Sequence, residues 1–160
     1  MKTLLFDIKR TGQIVVFIGI QASGKTTFFK EWLAPHGYVH VNLDTLRTRP
    51  RESQAIRECY DRGLSFVVDN TNPEKTDRQR YIPDAKAHGY EVIGIFFQSR
   101  VRECIARNEK REEKVPVKAI PCTQNKLQLP EYAEGFDKLY FVSIRENGFA
   151  ISEWKEPNKE

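Results

Sequence analysis

The most specific chemistry that the sequence offers lies in one octet. Residues Gly19–Thr26 read GIQASGKT and directly follow the apolar run Ile14–Ile18. Glycine, lysine and threonine at this spacing form a loop whose backbone N–H groups, with the N-terminus of the next helix, bind the phosphates of a nucleoside triphosphate. The pattern predicts ATP or another NTP with Mg²⁺ as cofactors, Lys25 on the β- and γ-phosphates and Thr26 on the metal. The predicted nucleotide-binding residues of this loop are Gly19, Gln21, Ala22, Ser23, Gly24, Lys25, Thr26 and Thr27.

Two charged residues behind the second apolar segment could act on a phosphate acceptor. Asp44 and Arg47 follow Tyr38–Val41, which is predicted to be a strand. A carboxylate at that strand end could accept the proton of an attacking hydroxyl and align it with the γ-phosphate. Asp44 could equally cap the helix that follows. Arg47 lies three residues on, so it could bind the same substrate from the same side of the helix, or form only a surface ion pair.

The third apolar segment, Leu64–Val68, also ends in polar residues. Asp69 stands directly after it, where a carboxylate commonly contacts Mg²⁺ itself or another ligand of the metal. Asn72 precedes Pro73, so it is predicted to cap a helix that starts at that proline. A contact between Asn72 and the substrate is the other role that this position allows.

A charged segment, 107–118, is predicted to form a basic helical lid. Arg107 and Arg111 are four residues apart, which on a helix places both guanidinium groups on one face, able to close over phosphates. The alternative is a solvated charged face without a ligand.

Length and composition indicate one globular domain over residues 1–160. The chain is 39% hydrophobic and 30% charged, and no apolar run approaches the roughly 20 residues of a membrane span. Asp7 stands where a signal peptide would continue its apolar core, so a cytoplasmic protein without a membrane partner is expected. An N-terminal extension (1–13) and a polar tail (155–160) are predicted as the loose ends.

The elements that must position these side chains alternate along the chain. Their order predicts an α/β fold of P-loop NTPase type, a parallel sheet of about five strands with helices on both faces, and a possible edge strand at 149–154. Parallel strands collect ligand groups at their carboxyl ends, so Lys25, Asp44 and Asp69 are expected in one crevice. The predicted strands are 14–18, 38–41, 64–68, 91–97 and 135–142, and the predicted helices are 25–34, 45–62, 73–88, one around 101–105, and 115–126.

The combination of these motifs resembles the kinase domain of 5′-OH polynucleotide kinases, including the kinase half of polynucleotide kinase/phosphatases. The resemblance spans nearly the whole chain and is carried by GYVHVNLDTLR at 37–47, DNTNP at 69–73, RNEKR at 107–111 with Val115-Pro116, and EGFD at 134–137. The chain departs from the family at Gln21-Ala22, where a Pro-Gly or Pro-Ala pair is common, and at Leu43, where some members have arginine.

The resemblance implies transfer of the γ-phosphate of ATP or another NTP to the 5′-OH end of DNA or RNA, in nucleic-acid repair. It implies that Asp44 is the general base, that Arg47 contacts the phosphate next to the terminal nucleoside, and that Lys25, Arg107 and Arg111 contact the NTP phosphates. The family's phosphatase signature, Asp-x-Asp-x-Thr, does not occur in the sequence. Chemistry at 3′ ends would therefore need a phosphatase, phosphoesterase or ligase module on another domain or chain.

Two other functions fit the same residues. One is a P-loop kinase that acts on a small molecule or on tRNA, against which the clustered basic residues argue. The other is a nucleotide-gated module that binds nucleic-acid ends without transferring phosphate, which leaves Asp44 unexplained.

Overall fold

One six-stranded sheet forms the centre of the molecule. The computed structural model describes residues 4–156, so the predicted extension 1–13 and tail 155–160 lie partly outside the described residues. Strands pair in the order β2-β3-β1-β4-β5-β6, the first five parallel and β6 antiparallel to β5. The predicted α/β sheet is confirmed, with the edge strand as its sixth member. The strands are β1 (Gln13–Ile18), β2 (Val39–Val41), β3 (Phe66–Val68), β4 (Glu91–Phe97), β5 (Lys138–Arg145) and β6 (Gly148–Glu153).

The helices connect these strands. The first helix, α1 (Lys25–Phe28), continues without interruption into a π-helix, Phe29–Leu33, and a 3₁₀ turn, Ala34–His36. Gly37, in the left-handed region, ends this segment. A second 3₁₀ turn, Tyr132–Glu134, precedes β5. Among the helices of residues 4–156, none has the length and apolar character that crossing a membrane requires. The α-helices are α1 (Lys25–Phe28), α2 (Leu43–Leu46), α3 (Arg49–Arg62), α4 (Lys75–Arg78), α5 (Ile82–Ala87), α6 (Val101–Glu109) and α7 (Ala119–Lys126).

Hydrophobic clusters cover both faces of the sheet, as expected for a parallel sheet with helices on each side. Side chains alternate along β1: Ile14 packs with Ile82 of α5 in one cluster, and Phe17 packs with Phe28 of α1 in the other. Every residue of β1 is buried. The phosphate-binding loop therefore begins from a completely buried strand.

The helix predicted over 45–62 is two helices. α2 ends at Leu46, and the next residue, Arg47, has a φ of 78° in the left-handed region, which breaks the helical path. The Thr48 side chain then caps α3 by accepting a hydrogen bond from the Arg51 N–H at 3.3 Å, and Pro50 lies in the first turn, where its missing N–H costs nothing. This break turns the short α2 into a separate element.

The predicted helix cap at Asn72 is wrong. The next helix, α4, begins at Lys75, and Glu74 and Asp77 form its capping box. Asn72 has a φ of 44°, is 4% exposed, and donates a hydrogen bond from Nδ2 to the Phe17 carbonyl oxygen at 2.9 Å. The Asn72 amide therefore hydrogen-bonds a backbone carbonyl near the end of β1 instead of capping a helix. Similarly, the helix predicted from residue 115 starts only at Ala119.

Candidate active site

A cleft of about 730 Å³ lies beside the phosphate-binding loop. Its walls come from the segments that follow β1, β2 and β3, from the end of α6, and from the β5–β6 hairpin. Lys25, Thr26, Asp44, Asp69, Arg107 and Arg111 all line it. The side chains that the sequence assigned to a triphosphate, a metal ion and a hydroxyl thus share one cavity.

The loop needs glycine at two positions. A Cβ atom on Gly19 would lie 2.9 Å from the Ser23 Oγ and 3.0 Å from the Phe97 Cβ, and its N–H donates to the Thr71 carbonyl oxygen at 3.0 Å. Gly24 is the N-cap residue of α1 and has a φ of 98°, so no side-chain hydrogen bond caps the start of this helix. Non-glycine residues rarely adopt that conformation. The loop is therefore tightly wound, and the start of α1 is left to a ligand or solvent.

Lys25 lies inside the loop. Its Nζ donates hydrogen bonds to the carbonyl oxygens of Gly19 at 2.9 Å and Ile20 at 2.8 Å. Burial lowers the pKa of this ammonium group to about 8, although the nearby Asp69 carboxylate acts in the opposite direction. An ammonium group that costs free energy to bury is well suited to pairing with phosphate oxygens.

Thr26 and Asp69 form the predicted pair of metal residues. The Thr26 hydroxyl donates to Asp69 Oδ2 at 2.7 Å, and His40 Nε2 lies 2.8 Å from the same oxygen. Within residues 4–156 no cluster of three or more His, Cys, Asp and Glu side chains could hold a metal ion. A hydroxyl and a carboxylate fit Mg²⁺, which prefers oxygen ligands and takes most of them from phosphates and water.

Asp44 lies on the first turn of α2 with its side chain exposed to the cleft. Asn42 caps this helix by accepting a hydrogen bond from the Thr45 N–H at 3.3 Å, so the alternative role of Asp44 as the cap is wrong. In the described part of the chain, the Asp44 carboxylate has no hydrogen-bond or ion-pair partner. It is free to act on a ligand.

A network behind α2 fixes that helix. The Asn70 side chain accepts a hydrogen bond from the Leu43 N–H at 3.0 Å and donates to Glu52 Oε2 at 2.9 Å. Glu52 is 2% exposed, and it also accepts hydrogen bonds from Arg49 and Tyr81. Burial, reinforced by the charge of Glu52, raises the pKa of Tyr81 to about 12, so the phenol remains a donor at neutral pH. Sequence reasoning missed this network because its members come from four separate segments of the chain.

The two other predicted substrate residues lie outside the cleft. Arg47 is exposed, follows α2 with a φ of 78°, and, among the residues described, is not part of the cleft wall. Asn72 is buried against the end of β1. Of the three residues assigned to the acceptor, the structure brings only Asp44 to the cavity.

The two lid arginines both reach the cleft, although not from one helix face. α6 ends at Glu109, so Arg107 lies on the helix and Arg111 in the loop behind it. The Arg107 Nε donates to the Ala22 carbonyl oxygen at 2.7 Å, which ties α6 to the phosphate-binding loop. The charge of Arg111 acts on Lys25 by helping burial to lower its pKa. Together with Lys110, these residues make the loop end of the cleft basic.

The β5–β6 hairpin lines the cleft without having been predicted there. Ile144, Gly148 and Phe149 face the cavity, and the Ile144 and Phe149 side chains lie within about 3 Å of where a Gly24 Cβ would be. Apolar residues near a strand end gave no signal of this, because the hairpin reaches the loop only through sheet pairing. Gln21 is similarly fixed by a long-range contact, from its Nε2 to the Thr123 Oγ1 at 2.9 Å.

Comparisons with known proteins agree with this architecture. A family model described as AAA domain matches residues 14–130. The solved structure of Chaetomium thermophilum Kti12 in complex with ADP-AlF3 is similar in fold, with a TM-score of 0.62 and 17% identity, over 84% of this chain and 92% of that one.

Two curated relatives are also similar in sequence. A putative bifunctional polynucleotide phosphatase/kinase of Acanthamoeba polyphaga mimivirus is 31% identical over 84% of this chain. A bifunctional polynucleotide phosphatase/kinase of Schizosaccharomyces pombe is 30% identical over 83% of it. The chain spans 34% of each relative's length. The sequence resemblance to polynucleotide kinases is confirmed by these matches.

Proposed function

The chain belongs to the AAA domain family, and on that premise we propose that it is a polynucleotide 5′-hydroxyl kinase. It transfers the γ-phosphate of ATP or another NTP to the 5′-OH end of DNA or RNA. One observation carries the proposal: a single cleft is lined by a phosphate-binding loop, by basic side chains and by the Asp44 carboxylate, which has no hydrogen-bond or ion-pair partner among the described residues. We call the loop 19–26 with Arg107, Lys110 and Arg111 the donor end, and Asp44 with the start of α2 the acceptor end.

At the donor end, the backbone of the loop receives the β- and γ-phosphates, and Lys25 exchanges its carbonyl partners for phosphate oxygens. Arg107 and Arg111, which line the same cleft, stabilise the negative charge on the transferred group. Thr26 and Asp69 would hold Mg²⁺, which supplies charge neutralisation between the β- and γ-phosphates when it is bound.

At the acceptor end, Asp44 receives the proton of the 5′-hydroxyl as the oxygen attacks the γ-phosphorus, and the nucleoside diphosphate leaves. The carboxylate also orients the hydroxyl in line with the bond that breaks. Arg47 is not part of the described cleft wall, so its contact with the phosphate 3′ of the terminal nucleoside, which the family resemblance implies, stays a prediction.

The names of the two curated relatives favour this acceptor over others. Both names join a phosphatase to the kinase, and this chain matches only about a third of each. We therefore propose that it works as the kinase domain of a nucleic-acid end-healing system, with a phosphatase or ligase module elsewhere. An extension before the sheet, a lid over 107–118 and a polar tail remain the proposed subdivisions of this single domain.

Transfer of label from γ-³²P-ATP tests the proposal. Equal amounts of a 5′-OH oligonucleotide, the same oligonucleotide with a 5′-phosphate, a bulk tRNA fraction and a mixture of sugars and nucleosides are offered as acceptors with Mg²⁺. We expect label only on acceptors that carry a 5′-OH nucleic-acid end, with a rate that falls steeply as salt rises. Label on sugars, nucleosides or internal positions of tRNA would favour the small-molecule or tRNA kinase. Oligonucleotide binding without any label would favour the end-binding module.

A further inference from the structure

Asp69 carries a buried charge on the wall of the cleft. Its side chain is 1% exposed, and one oxygen, Oδ2, accepts from both Thr26 and His40. Its N–H donates to the Val41 carbonyl oxygen at 2.8 Å, which anchors its backbone to β2. A buried carboxylate without partners is costly, so these bonds determine which way the group faces.

His40 is built to keep one orientation. It lies on β2 and pairs with Val67 of β3, and Val67 is two residues before Asp69 in the chain. The His40 ring stacks on Phe29, with 4.2 Å between ring centres and 13° between planes. Phe29 is itself 5% exposed and begins the π-helix that follows α1. An ionised carboxylate only accepts hydrogen bonds, so the proton of the 2.8 Å contact is on His40 Nε2.

We propose that His40 is a positioning residue that fixes Asp69 for the metal ion of the bound nucleotide. The inference rests on the proposed nucleotide site but not on the identity of the acceptor. With Oδ2 held by His40, the Thr26 hydroxyl keeps its hydrogen directed at Asp69 and its lone pairs free for a metal ion. Without the His40 N–H, Asp69 can rotate and Thr26 loses that orientation. Groups that orient metal ligands in this way typically contribute about 10- to 100-fold to metal affinity.

The test uses variants that separate the hydrogen bond from the packing. His40→Phe keeps a ring on Phe29 but removes the donor, and His40→Gln restores an N–H donor. His88→Phe is the matched control, because His88 also stacks on an aromatic ring, that of Tyr60 at 3.8 Å, but does not line the cleft. Binding of a fluorescent ATP analogue is measured in EDTA and as a function of Mg²⁺ concentration, and thermal unfolding confirms that each variant is folded.

We expect His40→Phe to raise the Mg²⁺ concentration needed for half-maximal nucleotide binding by about 10- to 100-fold. Its affinity for the nucleotide in EDTA should stay within about twofold of the parent, His40→Gln should recover most of the loss, and His88→Phe should match the parent. An unchanged Mg²⁺ dependence would overturn the proposal, and so would an equal loss of binding in EDTA, because a purely structural role predicts the latter. His40→Leu is read in the same way if His40→Phe does not fold. Failure to label an oligonucleotide would leave this result intact, whereas no nucleotide binding by the parent would contradict the proposed function itself.

Discussion

The donor end and the acceptor end of the cleft are built in different ways. At the donor end, Lys25 bonds to carbonyl oxygens only five and six residues away in the chain. At the acceptor end, the Asp44 side chain has no hydrogen-bond or ion-pair partner among residues 4–156. Its helix is fixed by Asn70, which accepts a hydrogen bond from the N–H of Leu43, 27 residues away in the chain. The position of Lys25 is therefore set within one loop, to which α6 adds the bond from Arg107, whereas the acceptor end depends on how β2 and β3 lie side by side. Substitutions should separate the two ends by whether nucleotide binding is lost with phosphoryl transfer.

Lys25→Met should have the largest effect and should fail at both steps. It removes the ammonium group that meets the phosphates, so we expect transfer to fall on the order of 10³-fold or more, together with a clear loss of nucleotide affinity. Lys30→Met is the control, because Lys30 is exposed on the same helical segment. Label transfer and nucleotide binding are measured on both variants. Intact nucleotide affinity in Lys25→Met would remove the distinction between the two ends.

Asn70→Ala should affect the acceptor end alone. It breaks the bonds to Leu43 and Glu52, so α2 can shift and carry Asp44 away from its position. Because a displacement of about 1 Å can cost around 100-fold, we expect transfer to fall about 10- to 100-fold with nucleotide affinity nearly unchanged. Asn125→Ala, at an exposed position of α7, is the control for a surface asparagine. An equal loss of nucleotide binding would show that the two ends are not independent.

The pH dependence of nucleotide binding should arise from Lys25, at the donor end. Burial lowers the pKa of Lys25 to about 8 in the free protein, and phosphates favour its charged form. As pH rises above 8 the free protein loses this proton, so binding must take it up again, and affinity should fall by up to about tenfold per pH unit. The measurement is nucleotide binding in EDTA between pH 7 and 9.5, with Lys25→Met as the reference. A parent profile as flat as that of Lys25→Met would contradict the assignment.

The same contrast explains what the sequence could reveal. The octet GIQASGKT, the buried strands and Asp69 are local patterns, and each lies where periodicity and motif predicted it. The cap at Asn72 and the uninterrupted helix over 45–62 were wrong for a physical reason. Asn72 satisfies a carbonyl on β1, and Arg47 adopts a left-handed conformation that no local propensity favours.

Contacts between residues that are far apart in the chain were the other feature that the sequence could not predict. His40 reads as an ordinary strand residue until β2 is placed beside β3, which brings its ring to Asp69. Likewise, Ile144 and Phe149 line the cleft only because β6 folds back along β5. Side chains that orient other side chains across a sheet have no characteristic spacing in a single sequence. The residues that support the site could therefore be identified only from the structure.

The most direct test of a cleft with two separable ends is Asp44→Asn. Asp84→Asn is its matched control, because Asp84 is also an exposed aspartate in the first turn of a short helix and does not line the cleft. Nucleotide affinity and the rate of label transfer to a 5′-OH oligonucleotide are measured on the same preparations. We predict that Asp44→Asn lowers the maximal rate by about 10²- to 10⁴-fold while nucleotide affinity stays within about twofold, and that Asp84→Asn changes neither. Full transfer activity in folded Asp44→Asn would contradict the account.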